Sequence, residues 1–151
     1  SKLFRYTTGR NEGHSHSIAE ELEVVKSYLA IEQMRFGNRL RFSIDVAPEL
    51  LEVKIPRFLL QPIVENAIKH GISQLLEKGK IEIKIENKDK LVQFMIHDNG
   101  PAFKEEVGGG YGLRSIRDKL NLIYGQKASL QIQNNEYKAV IVIIPIFYEF
   151  L

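Results

Sequence analysis

Asn66, Lys69 and His70 are the first side chains whose types and spacing suit a chemical role. They stand at i, i+3 and i+4, so on an α-helix they share one face. An amide oxygen can coordinate Mg²⁺, and an ammonium and an imidazole can neutralise phosphate, so together they suit a magnesium-bound polyphosphate. The alternative is a helix that ends at Gly71 and carries Lys and His because cations are favourable at that end.

Asp98 is the second candidate, because it comes just after an alternating segment, Val92, Phe94 and Ile96, that predicts a buried strand. A carboxylate there can accept a hydrogen bond from the exocyclic amine of adenine, where guanine presents a carbonyl oxygen. Two facing acceptors would leave buried groups unpaired, at about 1–3 kcal/mol. The dipeptide Asn99-Gly100 is also a hairpin signal. However, residues 101–106 do not alternate as a returning strand would.

The glycine-rich segment from Gly108 to Leu113 is the third candidate. Glycine backbones let a loop surround phosphate, and the helix N-terminus that follows supplies free N–H donors. The segment is neither a Walker A loop nor a dinucleotide-binding fingerprint, because no Gly-Lys-Ser/Thr follows and a loop precedes it. A flexible linker is the alternative interpretation.

Sequence periodicity predicts the elements that position these groups. A capping-box pattern of Ser17 and Glu20 opens a helix that Gly37 ends. Pro56 opens a second helix that runs to Gly71, and a third has its apolar positions at 113, 116, 120 and 123. Residues 7–16 are predicted as a polar loop. Alternation predicts six strands, the first two around a turn at 48, over residues 40–46, 51–55, 81–85, 92–96, 128–133 and 139–146.

The order α-ββ-α-ββ-α-ββ predicts an α+β fold. Pairs of strands separated by helices favour a two-layer α/β sandwich, with a mixed and mainly antiparallel sheet and helices on one face.

Composition narrows the functional class. The 151 residues can bury roughly 68–70% of their unfolded surface, and the lack of cysteine excludes disulfides and thiolate chemistry. The net charge of +2 and the absence of a basic stripe argue against nucleic-acid binding. No apolar run approaches the roughly 20 residues that span a bilayer. Because the chain lacks an initiator methionine, we expect a fragment whose membrane segment or sensor lies elsewhere.

Five stretches of the sequence carry a resemblance to a known family: Glu21–Glu32, Arg35–Leu40, Ile55–Gly71, Asp98–Pro101 and Gly110–Leu120. The chain resembles the C-terminal region of sensor histidine kinases of the LytS/YehU type, whose ATP-binding catalytic domain has the GHKL ATPase fold. The stretch from Ile55 to Gly71 looks like the N box of that family and is the most specific part. The last two stretches look like its G boxes.

The resemblance implies ATP and Mg²⁺ as ligands and transfer of the γ-phosphate to a histidine on an upstream dimerisation helix, then to a response regulator. Residues 1–37 would be a polar segment and connector helix, and residues 38–151 the ATP-binding catalytic domain. The domain would be cytoplasmic, with its parent protein anchored in the bacterial inner membrane. The implied site residues are Asn66 for Mg²⁺, Lys69 and His70 for the phosphates, Asp98 for adenine, Gly100 for the base pocket, and Gly110, Gly112 and Leu113 for phosphate.

The chain departs from the family pattern at several positions. Ala102 replaces a second glycine, and Tyr137-Lys138 replaces the Gly-Thr that usually precedes the final strand and forms a wall of the adenine pocket. The phosphoacceptor motif is absent, and we expect His14 and His16 to be solvated loop residues rather than acceptors. Autophosphorylation of this piece alone is therefore not expected.

Two alternative functions are compatible with the sequence. A GHKL domain can phosphorylate a serine on a partner or hydrolyse ATP to drive conformational change, but Pro62 stands where an acidic residue would favour hydrolysis. A catalytically degenerate interaction module would keep the fold without the catalysis, and the replacements at Ala102 and Tyr137-Lys138 favour it.

Overall fold

The structure is a computed structural model that describes residues 14–104 and 112–147. The helices are α1 (Ile18–Phe36), α2 (Gln61–Asn66) and α3 (Leu113–Tyr124), and α2 continues directly as a π-helix over Ala67–Gly71. The strands are β1 (Ser15–Ser17), β2 (Leu40–Val46), β3 (Lys54–Pro56), β4 (Gly79–Lys88), β5 (Leu91–Asp98), β6 (Ser129–Gln133) and β7 (Ala139–Pro145). In residues 14–104 and 112–147, no helix has the length and apolar character needed to cross a membrane.

Five strands form the central sheet, in the order β2-β4-β5-β7-β6. The β2–β4 pair is parallel and the other three pairs are antiparallel, so the predicted mixed, mainly antiparallel sheet is confirmed. Alternate side chains of β4 and β5 are buried, including Ile83 and Phe94, whereas Lys84 on the opposite face is exposed. The core therefore lies on one face of the sheet, as the two-layer α+β prediction requires.

The predicted pairing of two strands around Pro48 is wrong. β2 pairs in parallel with β4, whereas β3 pairs with β1 in a separate two-stranded sheet. Alternation identifies a strand because it reports which residues face the core, but it does not identify the neighbour with which the strand exchanges hydrogen bonds.

The N-terminal capping box of α1 is confirmed. The Ser17 backbone N–H donates to Glu20 Oε1 at 2.8 Å, and the Glu20 N–H donates to Ser17 Oγ at 3.1 Å. The predicted loop over residues 7–16 lies mostly outside the described residues, but its last two residues belong to β1, with His16 opposite Ile55. His16 is buried, so the expectation of a solvated histidine at this position is wrong.

The second helix begins at Gln61 rather than at Pro56. Pro56 ends β3, and Phe58 has a backbone φ of +62°, a left-handed conformation that interrupts any helix. Pro62 is the proline that lies in the first helical turn, where its missing N–H is tolerated.

Candidate functional site

Asp98 ends β5 on the face of the sheet that carries the core. Its side chain is buried because it continues the alternating series of Phe94 and Ile96. Within the part of the chain that the structure describes, both polar contacts of the carboxylate fall on Oδ1. The Gly100 N–H donates to this oxygen at 2.9 Å, and the Lys138 ammonium lies 2.8 Å from it. The remaining oxygen, Oδ2, is thus the atom of this carboxylate that can accept from a ligand.

The helix that carries Asn66 ends against Asp98. A Cβ atom on Gly71 would lie 2.4 Å from Asp98 Oδ1, and one on Gly100 would lie 2.5 Å from the Gly71 backbone. Both distances are too short for a Cβ atom and a non-bonded neighbour, so both positions need glycine for this close approach. The structure therefore joins two of the segments singled out in the sequence, the end of the helix and the loop after β5.

Replacing Gly100 with alanine is expected to lower the free energy of unfolding by about 1–3 kcal/mol, because the new methyl group would overlap the rigid backbone at Gly71. Urea unfolding followed by circular dichroism measures the change. Glu77→Ala, at an exposed position of the loop before β4, is the control for an alanine substitution that adds no contact. A loss at position 100 no larger than at position 77 would contradict the close-approach explanation.

Asn66, the candidate metal ligand, lies next to the start of α3. Its side-chain nitrogen lies 3.6 Å from the position that a Cβ atom would take on Gly112. Gly112 is the N-cap residue of α3, directly before Leu113, and has φ +76°. No side chain caps this helix within the described residues, so the first N–H groups of α3 can take a ligand anion. Leu113 buries its side chain in the core, so only its backbone can take part in phosphate binding. Gly110 lies outside the described residues.

Lys69 and His70 lie in the π-helical turn that follows Asn66. The predicted shared face of Asn66, Lys69 and His70 assumed 3.6 residues per turn, and that spacing does not hold across this turn. Both side chains are exposed. Partial burial lowers the pKa of His70, and the charges of Lys69, Lys104 and Lys138 lower it further. Lys69 and Lys104 thus add positive charge near His70, which favours binding of a polyanion.

The two residues that replace the usual Gly-Thr lie on opposite faces of the sheet. Tyr137 stacks on His97 with ring centroids 3.8 Å apart, and its hydroxyl donates to Glu82 Oε1 at 2.5 Å on the face away from Asp98. Burial raises the pKa of Tyr137 to about 12, and the hydrogen bond to Glu82 contributes in the same direction. Lys138 points into the site, so it is Lys138 rather than Tyr137 that changes the wall of the predicted pocket.

Sequence reasoning missed a second buried charge, Glu21. Its carboxylate is fully buried and accepts hydrogen bonds from the backbone N–H groups of Phe58 at 3.0 Å, Leu60 at 2.8 Å and Gln61 at 3.3 Å. It also lies 2.5 Å from His16 Nε2. The carboxylate thus binds the N–H groups that lead into α2 and the first one of the helix itself, and so positions the helix that carries the metal-ligand candidate. The sequence did contain a signal for this, because Glu21 is a charged residue at a position that falls in the apolar, core-facing stripe of α1.

The candidate oxygen ligand for a metal at this site is the Asn66 amide, next to the start of α3. In residues 14–104 and 112–147, no three His, Cys, Asp or Glu side chains come together as a metal site. This donor set still fits Mg²⁺ held with a nucleotide, because that ion usually takes one or two protein oxygens and fills its other positions with water and phosphate.

Several curated proteins are similar to this chain. A family profile described as histidine kinase matches residues 1–40. YesM, a sensor histidine kinase of Bacillus subtilis strain 168, is 33% identical over 135 residues, which are 86% of this chain and 23% of YesM. The sensor protein LytS of Oceanobacillus iheyensis is 36% identical over 132 residues, 78% of this chain and 23% of LytS. The chain thus spans less than a quarter of the length of these relatives.

Several solved structures with the same fold come from histidine kinases. The catalytic domain of the histidine kinase ThkA aligns with a TM-score of 0.66 and 22% identity, over 87% of this chain and 95% of that domain. The histidine kinase AdeS of Acinetobacter baumannii aligns with a TM-score of 0.65 and 17% identity, over 87% of this chain and 66% of AdeS. ThkA solved in complex with the response regulator TrrA aligns with a TM-score of 0.62 and 20% identity, over 97% of this chain and 46% of ThkA.

Proposed function

We propose that this chain, whose curated relatives are sensor histidine kinases of the LytS/YesM type, is the part of such a kinase that binds Mg-ATP. The observation that carries the proposal is the contact between two motifs. Asp98, a buried carboxylate with one oxygen available, packs directly against the end of the helix that carries Asn66.

Base recognition would fall to Asp98 Oδ2. A buried carboxylate that already uses its other oxygen for Gly100 and Lys138 has one remaining acceptor for an exocyclic amine. Gly100 packs directly on the Gly71 backbone and so fixes the loop after β5 beside this oxygen. Adenine supplies the amine that this arrangement accepts.

Phosphate and metal binding would fall to the residues between α2 and α3. The Asn66 amide oxygen would coordinate Mg²⁺, and the uncapped N-terminus of α3 at Gly112 would receive phosphate oxygens. The bound Mg²⁺ would supply neutralisation of the phosphate charge. Lys69 and His70, exposed in the adjoining turn, would add positive charge.

The reaction proposed for the whole protein is transfer of the γ-phosphate to a histidine outside these residues. The bond between the γ-phosphorus and its bridging oxygen breaks, a phosphorus–nitrogen bond forms, and ADP leaves. Positioning and charge neutralisation contribute most of the catalysis in such transfers. His16 does not serve as the acceptor, because it is buried against Glu21.

The proposed partners are an upstream phosphoacceptor helix of the kinase dimer and a response regulator. The complex of ThkA with TrrA supports the second partner, since ThkA shares this fold. We place the domain in the cytoplasm, where ATP and response regulators are found, with the parent protein anchored in the bacterial inner membrane.

Replacing Asn66 with alanine is expected to weaken Mg-ATP binding by about 10–100-fold, because a polar contact to a charged group contributes about 1.5–3 kcal/mol. Binding of ATP without Mg²⁺ should change much less. Isothermal titration calorimetry with and without Mg²⁺ measures both. Asn38→Ala, an exposed asparagine in the turn after α1, is the control. No ATP binding by the parent chain at millimolar concentration would overturn the proposed function.

A further inference from the structure

The ammonium group of Lys138 is buried in the same site as the carboxylate of Asp98. The side chains are only 7% and 5% exposed, and Nζ lies 2.8 Å from Asp98 Oδ1. Nζ also donates to the Pro101 carbonyl at 2.7 Å and lies 4.6 Å from the centre of the Phe103 ring. Lysine is rarely buried unless it is paired, so this position is defined by the site around it.

The backbone before β7 holds Lys138 in this orientation. The Lys138 carbonyl bonds to Nδ1 of His97 at 2.6 Å, and the neighbouring Tyr137 ring stacks on the same histidine. Since His97 and Asp98 are consecutive in β5 and face opposite sides of the sheet, Tyr137 is held on one face while Lys138 reaches the other.

We infer that Lys138 is a specificity-determining residue of the base site, and that its ammonium makes the site tolerant of a purine with a 6-carbonyl group as well as one with a 6-amine. The inference rests on the proposed nucleotide binding at Asp98. Its basis is the juxtaposition of an acceptor, Asp98 Oδ2, which receives no hydrogen bond from residues 14–104 or 112–147, with a cationic donor bound to the other oxygen of the same carboxylate.

The physical reason is the change that the ammonium makes in the polarity of the site. A lone carboxylate offers only hydrogen-bond acceptors. The guanine carbonyl oxygen is also an acceptor with partial negative charge, so the two would repel each other and neither would receive a hydrogen bond. With Lys138 paired to it, the site carries no net charge from this pair and contains N–H donors beside the acceptor. One of those donors faces the Phe103 ring, and a cation–π contact is weak enough to be exchanged for a hydrogen bond to a carbonyl.

The test is the ratio of the dissociation constants for GTP and ATP, measured by calorimetry on the whole chain. Lys138→Met removes the charge and keeps the length of the side chain. We expect the ratio to rise about tenfold in this variant, with inosine triphosphate following GTP because it has the same 6-carbonyl group. Lys84→Met is the matched control, since Lys84 is an exposed lysine on β4 within 3.6 Å of Glu86, and its ratio should equal that of the parent.

Lys138→Met leaves the buried Asp98 carboxylate without its charged partner, which can prevent folding. A second variant keeps the test valid in that case. Lys138→Thr lacks the charge, can still donate to Asp98 through its hydroxyl, and should also raise the ratio. A variant that binds both nucleotides more weakly but at an unchanged ratio would show a structural role alone and would overturn the inference. No nucleotide binding by the parent would instead overturn the proposed function, and this inference with it.

Discussion

Replacing Glu21 with alanine is expected to lower the free energy of unfolding by about 3–5 kcal/mol, the loss typical of removing one member of a buried charged network. The carboxylate accepts the backbone N–H groups of Phe58, Leu60 and Gln61. Without it, these buried donors lose a charged acceptor, and His16 loses its partner. Urea unfolding monitored by circular dichroism gives the free energy.

Glu23→Ala is the control, because Glu23 lies two residues further along α1 with its side chain 75% exposed. Alanine has the highest helix propensity, so the control also shows that the change does not act through α1 itself. We expect the control to change stability by less than about 0.5 kcal/mol. A similar loss in both variants would show that the buried carboxylate does not stabilise the start of α2.

The effect of Glu21 should extend to ligand binding. The carboxylate holds the N-terminus of α2, and Asn66 is the last residue of that α-helix. A displaced helix start would shift Asn66 relative to Gly112, and small displacements of binding groups weaken affinity strongly. Position 21 would therefore influence Mg-ATP binding without touching the ligand.

The secondary structure could largely be predicted from the sequence because the core lies on one face of the sheet. Each strand of the central sheet then alternates with period two, as Leu40, Phe42 and Ile44 do in β2. Pairing could not be predicted in the same way. The parallel contact of β2 with β4 joins residues about forty positions apart, and no local pattern specifies that neighbour.

The start of α2 shows how a long-range contact overrides a local rule. Proline favours the first turn of a helix, and the sequence offers both Pro56 and Pro62. The choice between them depends on Glu21, which binds the N–H groups of Leu60 and Gln61 from another helix, and on the left-handed conformation of Phe58. The sequence next to Pro56 and Pro62 shows neither the contact with Glu21 nor the left-handed conformation of Phe58.

The sequence alone does not place the candidate site segments next to one another. The structure brings two of them together through the packing of Gly71 against Asp98 and Gly100. The roles assigned to Asn66 and Asp98 remain predictions. In the sequence, Lys138 stands out only because Tyr137-Lys138 replaces the Gly-Thr that usually precedes the final strand. Its burial depends on His97 and Tyr137 directing it to the core face, which requires knowledge of the strand pairing.

Replacing Asp98 with asparagine is expected to weaken ATP binding by about 10–100-fold and to erode the preference for ATP over GTP. The amide substitutes an N–H₂ group for one carboxylate oxygen, so a donor can face the adenine amine where an acceptor stood. Loss of a charge-assisted hydrogen bond accounts for about 1.5–3 kcal/mol of binding free energy. The same N–H₂ group can donate to the guanine carbonyl, so GTP should lose less affinity than ATP.

The stability of the variant must be measured alongside its affinity, because Asp98 also binds Lys138 and the Gly100 N–H. A general loss of structure would weaken ATP and GTP equally, whereas the loss of a base contact changes their ratio. Asp45→Asn, an exposed aspartate on the edge strand β2, is the control for the chemical change alone. Equal ATP affinities in the parent and Asp98→Asn would refute the adenine assignment. An unchanged ratio with both affinities reduced would leave Asp98 as a structural partner of Lys138, and the base would then be recognised elsewhere.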